Sequence, residues 1–172
     1  MEEVKPKLRA LVIDDSRVMR NLVKDSLCKT GLADFDFTEV GDGSEAMSVF
    51  DPEKFDILFV DWNMPQLNGL DFARHVRSMR SAKHIPIVMI TSESAESKQA
   101  KAYSDARITC YITKPFTVEE VRNKLSEVIT NITKSQEEVV AKTESSKLVL
   151  PPPDSTIRKS APGFFSRLLG KG

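Results

Sequence analysis

The 172-residue chain has little cysteine, no excess of either charge and no long apolar run. Its two cysteines, Cys28 and Cys110, lack the CxxC spacing of redox and zinc sites, so we expect them to be reduced and buried. Because 25 basic residues balance 25 acidic residues, there is no global field to attract nucleic acid. No stretch approaches the roughly 18 apolar residues that cross a bilayer, and the N-terminus has no hydrophobic signal core. We therefore expect a cytoplasmic protein that binds no nucleic acid.

Short apolar runs alternate with helical patterns along the first part of the chain. The runs cover residues 8–13, 35–40, 55–60, 85–90 and 108–112. Capping boxes at Asp42-Gly43-Ser44-Glu45 and Thr117-Val118-Glu119-Glu120 begin two of the five intervening helices. The fourth helix, predicted from residue 93 to about 104, has only alanines and Tyr103 as apolar members, so it should be the least stable. Alternating strands and helices predict one doubly wound α/β domain over residues 1–133.

The composition changes beyond about residue 134. Residues 134–160 are rich in Ser, Thr, Lys, Glu and Pro, which predicts a flexible and mostly disordered linker. Residues 161–172 differ again, because their apolar members would share one side of a short helix while Arg167 and Lys171 face away. These apolar members are Phe164, Phe165, Leu168 and Leu169. The sequence therefore predicts a short amphipathic tail after the linker.

Three carboxylates follow two of the apolar runs directly. Asp14 and Asp15 come after the first run and Asp61 after the third. The carboxyl ends of parallel strands form the crevice where ligands bind, so these side chains should meet there. Two like charges about 4 Å apart repel by roughly 4 kcal/mol at an effective dielectric of about 20, so the cluster implies a hard divalent cation. The alternative is that Asp14 and Asp15 merely cap the first helix.

Four separated motifs now resemble those of receiver domains in two-component response regulators, of the CheY-like chemotaxis type. They are Asp14-Asp15-Ser16, Asp61-Trp62-Asn63-Met64-Pro65, Thr91-Ser92 and Lys114-Pro115-Phe116-Thr117. The resemblance covers residues from about 5 to 132. It implies a flavodoxin-like parallel sheet of five strands in the order 2-1-3-4-5, with five helices.

The resemblance also implies transfer of a phosphoryl group from a sensor histidine kinase to Asp61. The Mg²⁺ ligands that it implies are the carboxylates of Asp14, Asp15 and Asp61 and the main-chain carbonyl of Asn63. Lys114 would supply the opposing charge, and its bond to Pro115 resembles the family's cis peptide. The chain would then be no enzyme in the ordinary sense, because it catalyses its own phosphorylation and slow dephosphorylation. Taken alone, Lys114 could equally be a solvated surface lysine.

A switch is implied by the same resemblance. The Thr91 hydroxyl would bind the acyl phosphate, and the Tyr111 ring would turn inward as Thr91 moves. Partners would bind the output face, which is made by the fourth helix, fifth strand and fifth helix. The expected target is the flagellar motor or another chemotaxis component. Thr91 could instead be a helix N-cap, and Tyr111 an ordinary core residue. Residues 106–110 also lack the glycine of the family's usual turn, so we expect a reshaped output face.

The end of the chain leaves three interpretations open. Residues 162–172 resemble the short amphipathic membrane-targeting tails of some peripheral bacterial proteins, and the only charged residues from position 158 onward are basic. The segment would bind an anionic membrane surface at the inner face of the membrane, dock in a protein groove, or act as a disordered solubility tail. A tethered receiver-type adaptor or phosphate sink is therefore the alternative function.

Two other classes of protein fit the sequence less well. Haloacid-dehalogenase phosphatases also use an aspartate nucleophile, but they need a second acid two residues later, where this chain has Asn63. A nucleotide or flavin binder on this fold would need a glycine-rich phosphate loop after the first strand. Residues 14–18 contain no glycine.

Overall fold

The apolar runs form five parallel strands in a computed structural model that describes residues 5–147. The strands are β1 (Lys7–Ile13), β2 (Asp34–Val40), β3 (Ile57–Val60), β4 (Ile87–Thr91) and β5 (Cys110–Thr113). The helices are α1 (Arg17–Thr30), α2 (Gly43–Val49), α3 (Gly69–Ser78), α4 (Glu96–Ala106) and α5 (Val118–Lys147), with one 3₁₀ turn at Arg80–Ala82. The sheet order is β2-β1-β3-β4-β5, which confirms the predicted fold.

Each face of the sheet carries its own hydrophobic core, because side chains alternate between the two faces of a strand. In β1, Leu11 and Ile13 join the core under α2, α3 and α4. Leu8, Ala10 and Val12 join the core under α1 and α5. The strands β3 and β4 are buried along their whole length, as expected for the centre of a sheet covered on both sides.

The predicted helix starts are largely confirmed. The Asp42 side chain accepts hydrogen bonds from Ser44 N and Glu45 N at the start of α2. At the start of α5, Glu120 N donates to Thr117 Oγ1 while Thr117 N donates to Glu120 Oε2, which completes a capping box. In contrast, α4 begins after Ala95 with no side-chain cap, three residues later than the sequence suggested.

Helix α5 extends further than the sequence predicted. It continues to Lys147, into the range assigned to a flexible linker from residue 134. Residues 134–147 contain neither proline nor glycine and several good helix formers, so a helix that is already nucleated can continue through them. Gln136 Nε2 also donates to Asp56 Oδ1 at 3.2 Å, which ties the first added turn to the domain.

The turn after α4 shows how this chain manages without a glycine. Arg107 takes the left-handed conformation, with φ of 44° and ψ of 49°. Its carbonyl accepts a 3.1 Å hydrogen bond from Arg77 Nε, which holds the turn against α3. The predicted departure from the usual turn is therefore a backbone position at which a non-glycine residue bears conformational strain.

Two further expectations concern cysteine and membranes. Both cysteines are free thiols, but Cys28 is exposed, so the prediction that both are buried was wrong for Cys28. It lies on α1, whose outer face is turned to solvent. Within residues 5–147, no helix combines the length and apolar character that crossing a membrane requires.

Candidate functional site

Three carboxylates meet at the carboxyl edge of the sheet. Strands β1 and β3 are neighbours, with Ile13 paired to Val60, so the next residue of each strand lies side by side. Asp61 N donates to Ile13 O at 2.8 Å. Oxygen atoms of Asp14, Asp15 and Asp61 lie within 4.8 Å of one another, with Asp14 and Asp61 buried and Asp15 exposed. The structure therefore brings together the three acids that the strand ends placed there.

Asp61 is a buried acid, and one of its oxygens lacks a hydrogen bond within the described part of the chain. Its residue exposure is 6%, and among residues 5–147 Oδ1 has no hydrogen-bond partner of good geometry. Burial raises the pKa of Asp61 above its ordinary value, and the nearby charge of Asp14 adds to this rise. Lys114 and the Thr91 hydroxyl act in the opposite direction. Because buried polar atoms are nearly always satisfied, this oxygen is one that a bound cation or reacting group could occupy.

Lys114 supplies the positive charge of the cleft. Its backbone N donates to Thr91 O at 2.8 Å just after β5, and the Lys114–Pro115 peptide bond is cis. The ammonium lies 2.6 Å from Asp14 Oδ2 and 3.3 Å from Asp61 Oδ1. This side chain is 13% exposed, so the interpretation of Lys114 as a solvated surface lysine is wrong.

Hydrogen bonds to its side chain and to its main chain hold Asp14 in place. Its Oδ1 accepts a 2.9 Å hydrogen bond from Ser16 N, and its carbonyl accepts a 2.7 Å hydrogen bond from Arg20 Nη1. The N-cap of α1 is Ser16, whose hydroxyl accepts from Met19 N. The capping alternative therefore does not explain Asp14 and Asp15, because neither is the cap of this helix.

Gly69, the first residue of α3, packs closely against the end of β3. A Cβ at this position would lie 1.9 Å from Asp61 O and 2.8 Å from Val60 Cγ1. Its backbone N also donates to Trp62 O at 3.0 Å, which fixes the segment that follows β3. The first residue of α3 therefore packs directly on the main chain of Asp61, a contact that no local sequence pattern reveals.

Thr91 and Tyr111 are linked through one residue that the sequence did not indicate. Thr91 ends β4, is fully buried and accepts a 3.3 Å hydrogen bond from Glu93 N. Tyr111 is 3% exposed and donates a 2.6 Å hydrogen bond to Glu93 O. Burial raises the pKa of Tyr111 to about 12. Since Ala95 occupies the N-cap position of α4, the interpretation of Thr91 as the N-cap of this helix is wrong.

The cleft has the chemistry of a site for a hard cation. Besides the three acids, its lining includes Asn63, Ser92 and Phe116, and its volume is about 580 Å³. Carboxylate and carbonyl oxygens are the donors that Mg²⁺ prefers, and the unsatisfied oxygen of Asp61 lies among them. The residues present therefore fit a magnesium ion. The predicted tail anchors Phe164, Phe165, Leu168 and Leu169 lie outside the described residues.

Comparison with known proteins gives a consistent result. Residues 10–126 match the family model described as the response regulator receiver domain. The chain is 39% identical over 123 residues to the chemotaxis protein CheY1 of Helicobacter pylori, a match that covers 71% of this chain and 97% of the relative. It is 31% identical over 125 residues to the chemotaxis protein CheY of Pseudomonas aeruginosa, covering 73% and 98% respectively.

Solved structures show the same fold. The Vibrio cholerae chemotaxis protein CheY4 superposes with a TM-score of 0.58 at 28% identity and covers 71% of this chain and 98% of its own. A putative response regulator from Chloroflexus aurantiacus reaches a TM-score of 0.64 at 24% identity, covering 73% and 99%. In these comparisons the relatives match over nearly their whole length, and the unmatched part belongs to this chain.

Proposed function

The chain belongs to the response regulator receiver domain family, and from this premise we propose that it is a chemotaxis-type switch phosphorylated on Asp61. The observation that carries the proposal is the buried, hydrogen-bond-deficient Oδ1 of Asp61, set between two acids and one ammonium group. A carboxylate in such a place is poorly stabilised, so its pKa is raised and a new covalent or ionic partner is favoured.

Mg²⁺ would be held by the carboxylates of Asp14, Asp15 and Asp61 and by the main-chain carbonyl of Asn63. When bound, the ion would neutralise charge on the acids and on a phosphoryl group. Support for this assignment comes from the close approach of the three carboxylates and from the fixed position of Asp14. The exposed position of Asp15 leaves an open side by which water and the phosphoryl group can enter.

The reaction is a transfer between two side chains. An oxygen of the Asp61 carboxylate forms a bond to phosphorus while the phosphorus–nitrogen bond of the kinase phosphohistidine breaks. The released imidazole nitrogen takes up a proton from solvent. Lys114 Nζ, 3.3 Å from Asp61 Oδ1, offsets the negative charge that accumulates on the oxygens. Water later hydrolyses the acyl phosphate to inorganic phosphate and the free carboxylate, so the chain is its own substrate.

The hydroxyl of Thr91 would then couple phosphorylation of Asp61 to a change at the output face, which is the surface of α4, β5 and α5. Thr91 Oγ1 and the Tyr111 hydroxyl both bind the backbone of Glu93, on its N and its O respectively. If Thr91 turns toward a phosphoryl oxygen, its bond to Glu93 N is lost and the carbonyl that holds Tyr111 is free to shift. This arrangement supports a switch that runs from Thr91 through Glu93 to Tyr111 and the surface of α4, β5 and α5.

The partners that follow are a sensor histidine kinase as donor and a chemotaxis protein, such as a flagellar motor component, as target. The relatives named above are chemotaxis proteins. Their identity to this chain of 31% and 39% supports the pathway class for it.

The test is phosphorylation by a small acyl-phosphate donor with Mg²⁺, read by intact mass. The chain should gain roughly 80 Da, the mass of one phosphoryl group. Asp61→Asn should gain no mass. The matched variant Asp36→Asn, on the exposed edge strand β2, should gain the same mass as the chain without a substitution. Trp62, next to Asp61, offers a second signal through its fluorescence. Equal phosphorylation of Asp61→Asn would show that the acceptor is another residue.

A further inference from the structure

Helix α5, including its added turns, forms one wall of a groove at the amino edge of the sheet, opposite the acidic cleft. On the α5 side it is lined by Val128, Ile132, Val139 and Val140, and on the other side by Phe55 and Ile85. Its volume is about 1210 Å³. Small-molecule clefts typically measure about 300–1,000 Å³, so this groove suits a short peptide segment better than a small ligand.

Exposed apolar side chains concentrate at this groove. Within residues 5–142, where side-chain burial is described, six large apolar side chains are exposed, and three of them line it: Tyr103, Val139 and Val140. Val139 is 64% exposed and Val140 is 56% exposed. Single exposed apolar residues are ordinary on a protein surface, but a cluster of them along a groove indicates an interaction site.

We propose that this groove binds the chain's own C-terminal segment, residues 161–172. Phe164, Phe165, Leu168 and Leu169 have the spacing of one apolar helix side, which is the pattern of a peptide that lies in a groove. The added turns of α5 and the segment both lie beyond the part of the chain that matches the family. The family model ends at residue 126, whereas the added turns begin at residue 134 and the segment at residue 161.

The connecting chain is long enough. Phe164 lies seventeen residues after Lys147 in the sequence, which corresponds to roughly 23 Å as a flexible coil and roughly 55 Å when extended. Along α5, Val140 and Val128 lie roughly 10 and 28 Å before Lys147, at about 1.5 Å per residue. A segment tethered at this distance has an effective concentration on the order of millimolar, so even a weak contact would be populated.

Charge favours the same occupant. From Arg158 onward the charged residues are all basic. In the groove lining, Arg9 is paired with Asp56, and Lys124 Nζ donates to Tyr111 O at 2.7 Å. The acids Glu53 and Glu127 are exposed in the same lining and can receive the basic residues of the segment. The complementarity is modest, so the apolar contacts would provide most of the affinity.

Docking here would reach the proposed output face. Tyr103, Tyr111 and Lys124 line one end of the groove, so a bound segment would compete with any protein that recognises this end. That competition rests on the proposed function. The docking itself does not, because the groove and the acidic cleft lie at opposite edges of the sheet and share no lining residue.

The test compares backbone amide NMR shifts of the full chain with those of two tail variants. Phe164→Glu places a charge on the apolar side of the segment, whereas Ser166→Glu adds the same charge on its other side. We expect Phe164→Glu to shift the amides of Val128, Ile132, Gln136 and Val140, and Ser166→Glu to leave them in place. Val140→Glu, at an exposed position that tolerates the change, should shift the amides of residues 164–169. The same pattern should appear in an Asp61→Asn background, so failure of the proposed phosphorylation would not affect it.

Three outcomes would overturn the proposal. The first is that Phe164→Glu leaves the groove amides unchanged. The second is that the shift differences disappear on dilution, which would identify a second copy of the chain as the occupant. The third is that Phe164→Glu abolishes flotation with vesicles of phosphatidylglycerol and phosphatidylcholine while the groove amides stay in place. That result would assign the segment to a lipid surface.

Discussion

The Lys114 ammonium donates a 2.6 Å hydrogen bond to Asp14 Oδ2, and the same nitrogen lies 3.3 Å from Asp61 Oδ1. One positive charge is thus shared between two buried acids, with Asp15 a few ångströms away. The cleft thus holds three carboxyl groups against one ammonium, an excess of acidic groups that a divalent cation would offset. The charge of the cleft and the proposed phosphoryl transfer therefore both call for a bound divalent cation.

Replacing Lys114 with Gln should slow phosphorylation by an acyl-phosphate donor on the order of 10²-fold, the usual cost of losing a preorganised charge partner in a reaction site. Initial rates from intact mass would measure this effect. Lys54→Gln is the matched control, because Lys54 pairs with Asp51 at the surface and its side chain is 70% exposed. A Lys114→Gln rate equal to that of Lys54→Gln would exclude a role for the ammonium in transfer.

Mg²⁺ should stabilise the fold, because it would bind the folded cleft and not the separated acids of the unfolded chain. At ten times the dissociation constant the gain in unfolding free energy is about 1.4 kcal/mol. Asp15→Asn should weaken this effect without disturbing the fold, since Asp15 is exposed. Asp25→Asn, at an exposed position of α1, is the control and should keep the full gain. Urea unfolding with and without Mg²⁺ measures it, and an undiminished gain in Asp15→Asn would contradict the ligand assignment.

Gly69→Ala should destabilise the chain by about 1–3 kcal/mol, the range for overpacking, because the new Cβ would lie 1.9 Å from Asp61 O. The backbone of Asp61 would have to move, so phosphorylation should slow as well. Gly41→Ala is the control, since its nearest neighbour is Glu45 Oε2 at an ordinary 3.6 Å. Urea unfolding would separate the two, and equal midpoints for both variants would show that the close contact has no cost.

The sequence predicted the sheet and the acidic cluster because both depend on local patterns and one simple rule. Apolar runs mark buried strands, and parallel strands bring their carboxyl ends, with Asp14 and Asp61, to one edge. It did not predict Glu93 as the link between Thr91 and Tyr111, since that link uses backbone atoms, which every residue has. The extension of α5 is not predictable from composition, because polar residues are typical of disordered linkers and equally compatible with a solvent-exposed helix over residues 134–147.

Arg107→Gly should stabilise the chain, because glycine adopts the left-handed conformation without the roughly 1–2 kcal/mol that other residues lose there. Part of this gain is offset by the greater freedom of glycine in the unfolded chain, so we expect a net increase of about 0.5 kcal/mol. Arg107→Ala is the control, because it removes the same charge near Arg77 but keeps the strained backbone. If urea unfolding gives Arg107→Gly no advantage over Arg107→Ala, the strain is negligible.

Tyr111→Phe should lower the unfolding free energy by about 1 kcal/mol at neutral pH, because Glu93 O would lose its 2.6 Å hydrogen bond.

The difference in unfolding free energy between the chain and Tyr111→Phe should decrease at alkaline pH. The pKa of Tyr111 is about 12 in the folded chain against 10.0 for a free tyrosine, so between these values the unfolded chain releases its proton while the folded chain retains it. The unfolded chain thus binds fewer protons, and stability falls as pH rises through this window. Phenylalanine has no proton to lose, so the variant lacks this fall. Urea unfolding at a series of pH values, with tyrosinate absorbance as a second signal, would measure the unfolding free energies of the chain and of the variant. We expect the two curves of free energy against pH to converge above pH 10. Parallel curves would mean that the buried hydroxyl of Tyr111 ionises like that of a free tyrosine.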